Sequence, residues 1–488
     1  MNRFLNSLLT WTTAKLAHRR EGLRAAESQR YCAESMECAR LAGAIECRRS
    51  LPSKQRRQAG RTPYASRQIK PESIFSGLQR SAVSYFASLR SSRLCGYIRL
   101  RKFGTTAAAL LAMVLVAHGQ PDNSVEIIGY AGPGREKPIL VSMSGFSGEA
   151  AQVLQFDLYV QGFAFTNVEA AQYLISGSNN GNLQGQVTDR ISKQVVLSKA
   201  YSGAALRRQV HAFADDFVQV RARKGIAQTK IAFKGEVGLN SEVFVADFDG
   251  NNVQAVTKDN SIVAAPSWVP GHLALYYTSY KLNHADIFHH DLSTGARKTF
   301  ARYGGSNISP AASPDGSKVA MVLSKDGWTD LYVCNADGSG LKRLTKSPQD
   351  ESSPCWSPDG QWICYASKDK ERRALRKISP SGGEPQVIST AGAPNPTEPD
   401  WSPDGQWIAF TSQTRSFQIC VVPSKGGPAV ALVEGEDPSW APNSRTLACA
   451  RRQGGRYVLS LLDVPTKQVK DVSRISGSNS QSQPGWAR

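Results

Sequence analysis

The pentapeptide Trp356-Ser-Pro-Asp-Gly360 recurs as Trp401-Ser-Pro-Asp-Gly405 and, with alanine in the first place, as Ala312-Ser-Pro-Asp-Gly316. Two degenerate copies begin at Trp268 and Trp440. These anchor positions, with one further tryptophan, are 268, 312, 356, 401, 440 and 486, which lie 44, 44, 45, 39 and 46 residues apart. A repeat of this length is typical of a four-stranded propeller blade, whereas a repeat of helical pairs is shorter, at about 34 residues.

Each repeat also carries the same order of shorter signals. Two apolar runs follow the anchor, as in residues 319–323 and 330–333, and a glycine turn and a short closing run come after them. Short β-rich runs separated by Gly and Pro are typical of strands joined by tight turns. In Ser-Pro-Asp-Gly, the proline presets φ at the first central position of a turn and the glycine takes a positive φ. The sequence therefore predicts a hairpin at each copy.

The first repeat lacks its anchor. Residues 229–257 hold three predicted strands, and the missing anchor strand is found around Trp486 instead. A single twisted sheet cannot bury both faces, so blades stack in a ring that protects their edges. We therefore expect six blades, with residues 483–488 closing the ring beside the strand that begins near Thr229. The anchor tryptophans are expected to pack between blades in a structural role: Trp268, Trp356, Trp401, Trp440 and Trp486.

The net charge of +19 does not indicate a nucleic-acid-binding protein. Residues 1–102 hold 21 Lys and Arg against 6 Asp and Glu, so this segment alone carries +15 and the remainder only +4. A nucleic-acid interface needs a clustered basic surface, and the repeats show none in sequence. No nucleic-acid partner is expected.

The N-terminal region divides into three predicted parts. Residues 1–97 are rich in Arg and Ser and lack apolar periodicity, so we interpret them as a disordered or spurious extension. Residues 98–119 combine basic residues, the apolar run 107–117 and the ending Ala117-His-Gly119, the pattern of a secretory signal peptide. This run is too short to span a bilayer. We expect translation to begin near residues 98–102, with an organellar transit peptide from Met1 as the alternative.

Two folded parts are predicted after a flexible lead at 120–137. A small α/β domain covers 138–225, and its clearest helix lies in 204–223, where five apolar residues recur at steps of 4, 3, 4 and 3: Leu206, Val210, Phe213, Phe217 and Val220. The propeller covers 226–488. The predicted fold class is mainly β, a six-bladed β-propeller preceded by a small α/β domain.

This organisation resembles the TolB family, the periplasmic component of the Tol–Pal envelope system. The resemblance covers about 125–488 and includes Thr229-Lys-Ile-Ala-Phe233 directly after the α/β domain. It implies a non-catalytic periplasmic adaptor without cofactor or metal, which binds a peptidoglycan-associated lipoprotein on the propeller and supports outer-membrane integrity and cell division. The family also contacts the inner-membrane protein TolA through its lead, whose sequence here differs from the family's pattern.

The resemblance also implies a binding surface. In a propeller whose first strand is innermost, the loops entering the anchor strands and the loops between second and third strands surround one mouth of the channel. The Ser-Pro-Asp-Gly turns then lie on the far face. The positions that match the lipoprotein-binding surface of the family are Ser306, Asn307, Ser309, Ser352 and Thr397. The alternative is that these are solvated loop residues without a partner.

Other functions remain open at this point. A propeller-capped serine hydrolase needs a Gly-x-Ser-x-Gly nucleophile turn, which the sequence lacks, so no enzyme is predicted. His289 and His290 are adjacent on a predicted strand and point to opposite faces, so they do not converge on one metal ion. The main alternative is a generic secreted propeller that binds peptide or sugar or has a peptidase-related role. An intracellular WD-repeat scaffold is disfavoured because the sequence has no Trp-Asp dipeptide.

Cysteine pairing is also left open. Five cysteines follow the predicted signal peptide, an odd number for an oxidising compartment. Cys355 and Cys364 flank one predicted hairpin, and whether they could pair depends on the register of its turn.

Overall fold

The computed structural model describes residues 132–369, 372–473 and 475–488. The predicted extension at 1–97, the predicted signal peptide at 98–119 and residues 120–131 of the predicted lead lie outside the described residues. Those described from 132 onward belong to one compact unit.

A mixed sheet with two helices comes first in the described chain. Its strand order is β2-β1-β3-β4-β5, with β1 parallel to both neighbours and the remaining pairs antiparallel. The strands are β1 (Ile139–Ser144), β2 (Phe163–Phe165), β3 (Tyr173–Ser178), β4 (Leu183–Asp189) and β5 (Val195–Tyr201), and the helices are α1 (Gly148–Tyr159) and α2 (Leu206–Val220). Buried side chains of both helices share one apolar core with the sheet.

Helix α2 has a wider buried face than its apolar stripe predicts. Val210, Phe213 and Phe217 are fully buried as expected, but Val220 is 40% exposed. The prediction for Val220 is wrong because this residue is the last of the helix and no further turn covers it. The helix packs on α1 as well as on the sheet, and so His211 and Val218 are buried too.

The rest of the described chain forms antiparallel sheets arranged as propeller blades. Three strands of blade 1 come first: β6 (Lys230–Val237), β7 (Asn240–Asp247) and β8 (Gln254–Ala255). Blade 2 consists of β9 (Val263–Trp268), β10 (Ala274–Ser279), β11 (Asp286–Asp291) and β12 (Arg297–Ala301). Blade 3 consists of β13 (Asn307–Ala312), β14 (Lys318–Leu323), β15 (Asp330–Asn335) and β16 (Lys342–Arg343).

Three more blades follow. Blade 4 consists of β17 (Asp350–Trp356), β18 (Ile363–Asp369), β19 (Arg372–Ile378) and β20 (Gln386–Ile388). A short parallel pair, β21 (Thr390–Ala391) with β25 (Gly427–Pro428), accompanies blade 5, which consists of β22 (Pro396–Trp401), β23 (Trp407–Gln413), β24 (Phe417–Pro423) and β26 (Val430–Glu434). Blade 6 consists of β27 (Glu436–Trp440), β28 (Thr446–Gln453), β29 (Arg456–Asp463) and β30 (Gln468–Asp471).

The last strand, β31 (Gln481–Trp486), completes blade 1. It pairs antiparallel with β6, so that Trp486 lies opposite Ile231 and Gln481 opposite Gly235. The six-bladed propeller and its closure by a non-contiguous strand are therefore confirmed.

The Ser-Pro-Asp-Gly hairpins have the predicted geometry. In the copy at 313–316, the Gly316 N–H donates to the Ser313 carbonyl oxygen at 2.8 Å and Gly316 has φ +69°. The Asp315 carboxylate accepts from the Ser313 hydroxyl at 2.5 Å and from the Ser317 N–H at 3.1 Å. These hydrogen bonds lower the pKa of Asp315 to about 2. The aspartate therefore acts within the turn.

The register also settles where the two hairpin cysteines lie. Cys355 and Cys364 are directly opposite each other in β17 and β18, and both are free thiols in this structure.

Candidate functional site

The six innermost strands surround a central channel with a volume of about 1230 Å³. They are β31, β9, β13, β17, β22 and β27, one from each of blades 1 to 6. We call the end at which the chain enters these strands the mouth; Leu239, in the turn between β6 and β7, lines it. The other end, the far face, carries the Ser-Pro-Asp-Gly turns, and Pro358 lines the channel there.

Every innermost strand contains a bulge at the same place. The register shifts by one residue in each pairing with the second strand, and a residue with positive φ precedes a proline. These residues, which we call the bulge ring, are Ala265, Ser309, Ser353, Glu398, Asp437 and Gln483, with φ of 52°, 52°, 51°, 54°, 56° and 51°. A left-handed conformation is costly for residues other than glycine, on the order of 1–3 kcal/mol, and persists only where the surroundings impose it.

Half of the bulge ring is joined by hydrogen bonds between blades. The Asp437 N–H donates to Glu398 Oε2 at 3.1 Å, and the Gln483 N–H donates to Asp437 Oδ2 at 3.0 Å. The Ala265 N–H donates to Gln483 Oε1 at 2.9 Å. In each case the side chain of one bulge residue accepts from the main chain of the next. These contacts tie blade 5 to 6, 6 to 1 and 1 to 2.

The predicted contact residues fall into three environments. Ser309, Ser352 and Thr397 line the channel. Ser306 is half-buried in the loop that leads to β13, where its N–H donates to Ser324 Oγ at 2.7 Å.

The fifth residue, Asn307, does not reach the surface. It is fully buried, and its Nδ2 donates to the carbonyl oxygens of Tyr303 at 3.0 Å and Ala285 at 3.1 Å. Its Oδ1 accepts from the Tyr303 N–H at 2.8 Å. Asn307 therefore shapes the loop that carries Ser306, and direct contact with a partner is excluded in this conformation because its polar atoms are used within the chain.

Sequence reasoning missed two apolar side chains at the mouth. Trp328, in the turn between β14 and β15, is 51% exposed, and Leu239 is fully exposed. An aromatic residue in a turn, outside the alternation of the strands, was the available signal. Both turns join second to third strands and therefore lie on the mouth side with Ser306.

The anchor tryptophans are buried and connect neighbouring blades. Trp356 Nε1 donates to the Ala311 carbonyl oxygen at 2.9 Å, and Trp440 Nε1 donates to that of Asp400 at 3.2 Å. Trp268 Nε1 likewise donates to Gly485 of blade 1 at 2.9 Å. Trp401 differs, because its indole bonds to Gly405 in its own hairpin at 3.2 Å. Trp486 Nε1 donates to Thr229 Oγ1 at 2.8 Å, beside the start of β6.

A buried charge cluster joins the two helices to blade 1. His211 Nδ1 lies 2.7 Å from Asp157 Oδ2, and His211 Nε2 lies 3.4 Å from Asp249 Oδ2. Arg207 makes an ion pair with the same Asp249 oxygen. One ligand atom from each of Asp157, His211 and Asp249 lies within 4.8 Å of the others, a spacing that suits a metal ion. The guanidinium of Arg207 already supplies a cation beside Asp249, so we interpret the cluster as a balanced ion-pair network.

The pKa values in this cluster follow from burial and mutual attraction. Burial raises the pKa of Asp157 to about 6. Burial alone would lower the pKa of His211, but the two carboxylates raise it to about 10. Burial likewise opposes ionisation of Asp249, yet His211 and Arg207 hold its pKa below the usual range. The sequence held no signal for this cluster because its members come from three distant segments.

The pair His289 and His290 is divided as predicted. The His289 ring packs on Tyr276 with centroids 4.9 Å apart, and the His290 ring packs on Tyr277 at 6.2 Å. Because Tyr276 and Tyr277 are adjacent in β10, the two imidazoles lie on opposite faces of blade 2.

A family model described as the TolB beta propeller domain matches residues 217–488. The chain belongs to this TolB propeller family. A similar curated protein, the Tol-Pal system protein TolB of Bordetella pertussis, is 28% identical over 436 residues, which cover 82% of this chain and 98% of the relative. Another, the Tol-Pal system protein TolB of Anaeromyxobacter dehalogenans, is 27% identical over 298 residues, which cover 51% and 67%.

A solved TolB structure has the same fold. The crystal structure of TolB from Acinetobacter baumannii matches with a TM-score of 0.64 at 19% identity, covering 73% of this chain and 98% of that one. The resemblance to the TolB family that the sequence indicated is therefore confirmed. Neither helix in the described part of the chain is long and apolar enough to cross a membrane.

Proposed function

We propose that this protein is a non-catalytic periplasmic adaptor of a Tol–Pal-type system, and that the mouth of its channel binds a peptidoglycan-associated lipoprotein. Through that contact it would support outer-membrane integrity and cell division. The proposal is supported by membership of the TolB propeller family and by curated relatives named Tol-Pal system protein, one of which aligns over 98% of its length. A contact with a TolA-like inner-membrane protein is proposed through the lead.

The observation that carries the proposal is the composition of the mouth beside blades 3 and 4. Exposed Trp328 lies on the same face as Ser306, and Ser309 and Ser352 line the channel below it. Protein interfaces are enriched in aromatic residues, and such a residue often supplies much of the binding energy when it fills a pocket of the partner. The small side chains of Ser309 and Ser352 in the channel wall leave room for an inserted segment of the partner.

An adaptor role also fits the carboxylates of the channel. Glu398 Oε2 accepts from the Thr411 hydroxyl at 2.7 Å as well as from the Asp437 N–H. Asp437 in turn accepts from the Gln483 N–H. These acidic groups hold blades together, which accounts for their presence without invoking acid–base chemistry.

The test is direct binding of the purified lipoprotein from the same genome. Ser309→Trp and Ser352→Trp fill the channel wall at the mouth and should reduce capture by at least about tenfold, because bulky side chains occupy the space of the partner. The matched controls are Asp359→Ala and Asp404→Ala in hairpins of the far face, which should retain wild-type affinity.

Either of two results would overturn the assignment. Absence of binding by the wild-type protein would remove the Tol–Pal role. Loss of binding in the far-face variants, with binding kept by the channel variants, would move the site to the other end of the channel.

A further inference from the structure

The bulge ring has an acceptor at only half of its junctions. Between blades 5 and 6, 6 and 1, and 1 and 2, an oxygen of Glu398, Asp437 or Gln483 accepts from the main-chain N–H of the next bulge residue. The side chains at the other junctions are a methyl group and two short hydroxyls, those of Ala265, Ser309 and Ser353. A methyl group accepts no hydrogen bond, and a serine oxygen is one bond shorter than that of aspartate.

The main chain is nevertheless the same at these junctions. Ser309 and Ser353 have φ of 52° and 51°, each precedes a proline, and each lies at the register shift of its strand. Because the repeats are equivalent, the N–H groups of Ser309 and Ser353 point across the junction to the preceding blade. The N–H groups of Asp437, Gln483 and Ala265 point in the same way. Within the described residues, no side-chain atom accepts a hydrogen bond from either N–H, in contrast to the N–H groups of Asp437, Gln483 and Ala265.

We propose that the N–H groups of Ser309 and Ser353 bind a side-chain carboxylate of the partner, an inference that rests on the proposed function. The inserted carboxylate supplies at blades 3 and 4 the oxygen that Glu398 and Asp437 supply elsewhere in the bulge ring. Hydrogen bonds to a charged oxygen are shorter and stronger than those to a neutral one.

The surroundings favour a carboxylate over a neutral acceptor. Arg373, at the start of the third strand of blade 4, lines the same channel and is half-buried. Its guanidinium brings positive charge to the side of the channel that holds Ser352 and Ser353. The carboxylates of Glu398 and Asp437 belong to the other half of the ring, where each is held by a main-chain N–H.

The first experiment needs no protein partner. Serine residues are labelled with ¹⁵N, the Ser309 and Ser353 amides are assigned by Ser→Thr replacement, and glutarate is titrated as the probe. Both amide protons should shift downfield and saturate, whereas dimethyl glutarate, which has no carboxylate, should leave them unmoved. In Ala265→Gln, the new amide oxygen should shift the Ser309 proton without glutarate and abolish its response to glutarate. Ala265→Leu, which adds bulk but no acceptor, should not shift that proton before titration.

The second experiment measures lipoprotein affinity for the same variants. Ala265→Gln should weaken binding by about tenfold or more while its melting temperature stays at or above that of wild type, since Gln483 shows that glutamine fits this conformation. If glutarate shifts neither amide and Ala265→Gln binds like wild type, the carboxylate site is wrong even though the adaptor role stands. If glutarate shifts both amides and the lipoprotein does not bind, the adaptor role fails and the carboxylate site stands.

Discussion

The guanidinium of Arg488 contacts the carboxylate of Asp400, 88 residues earlier in the sequence. The same guanidinium donates to the carbonyl oxygens of Trp401 at 3.2 Å and Trp440 at 3.3 Å. Because Arg488 lies two residues after the end of β31, the strand that completes blade 1 is also fastened to blades 5 and 6. Ring closure therefore depends on one short segment with partners in three blades.

Deleting residues 482–488 should abolish the cooperative thermal transition or cause aggregation. The deletion removes most of β31, so β6 becomes an exposed strand edge that pairs readily with other chains. Arg488→Ala is the mild counterpart and should cost about 1–2 kcal/mol, since its ion pair is only partly shielded from solvent. Differential scanning calorimetry measures both. An unchanged transition in the deletion would mean that the ring closes without β31.

Trp356→Phe should lower the free energy of unfolding by about 1–2 kcal/mol. The substitution keeps an aromatic side chain but removes the indole N–H that donates to the partly buried Ala311 carbonyl oxygen of the neighbouring blade. Trp401→Phe is the comparison, because that indole bonds within its own hairpin. Urea unfolding should show that the first variant, and not the second, broadens the transition by uncoupling two blades. Equal effects would contradict a coupling role for the indole.

His211→Leu should destabilise the protein by about 3–5 kcal/mol at neutral pH, because it leaves the carboxylates of Asp157 and Asp249 buried without their shared partner. The raised pKa of His211 means that its contribution is fully present below pH 6.5 and is lost as the pH rises through about 10. Urea unfolding at pH 7 and pH 10 should therefore show a smaller difference between variant and wild type at the higher pH. His289→Leu, at a half-buried strand position, is the control and should cost less than about 1 kcal/mol. A difference that persists at pH 10 would show that His211 acts through packing alone.

Glu351→Gln should remove a pH dependence of stability. Burial raises the pKa of Glu351 from 4.5 to about 7, so its contribution is fully present below pH 4.5 and is lost as the pH rises through 7. The variant should gain on the order of 3 kcal/mol over wild type between pH 5 and pH 8. Exposed Glu236→Gln should leave the profile unchanged. Parallel profiles for Glu351→Gln and wild type would show that Glu351 is already ionised at low pH.

Trp328→Ala should weaken lipoprotein binding by at least about tenfold with little change in melting temperature, since the side chain is half exposed and its loss opens no cavity. Trp362→Ala is the matched control, because Trp362 follows a hairpin of the far face, where Lys377 lies over its ring. Titration calorimetry measures both affinities. Equal affinities for the two variants would place the contact away from Trp328.

The blades were predictable because their signals are local. The anchor phrase recurs about every 44 residues, and the turn chemistry of Ser-Pro-Asp-Gly acts within a few residues. The closing strand could be predicted because the first repeat lacks an anchor strand and an additional one follows the last repeat. The bulges also had a local signal that the sequence reading did not use. A proline stands two residues before each of Trp268, Trp356, Trp401, Trp440 and Trp486.

The remaining features depend on packing between distant segments. Asn307 reads as a polar loop residue, and only the fold shows that its amide faces inward to Tyr303 and Ala285. The cluster of Asp157, His211 and Asp249 joins two helices to a blade turn, so no spacing in sequence reveals it. Long-range electrostatic partners of this kind require coordinates.

The bulge ring separates the shape of the channel wall from its chemistry. Alanine, serine, glutamate, aspartate and glutamine occupy the six positions with φ between 51° and 56°. The following proline and the strand pairing hold the same backbone conformation with each of these five residue types, and only the side chains of Glu398, Asp437 and Gln483 also join neighbouring blades. Six codons thus determine what the wall presents to a ligand. A library randomised at the codons for Ala265, Ser309 and Ser353, which leaves the inter-blade hydrogen bonds of the other three residues in place, would let new specificities be selected on a scaffold that already folds.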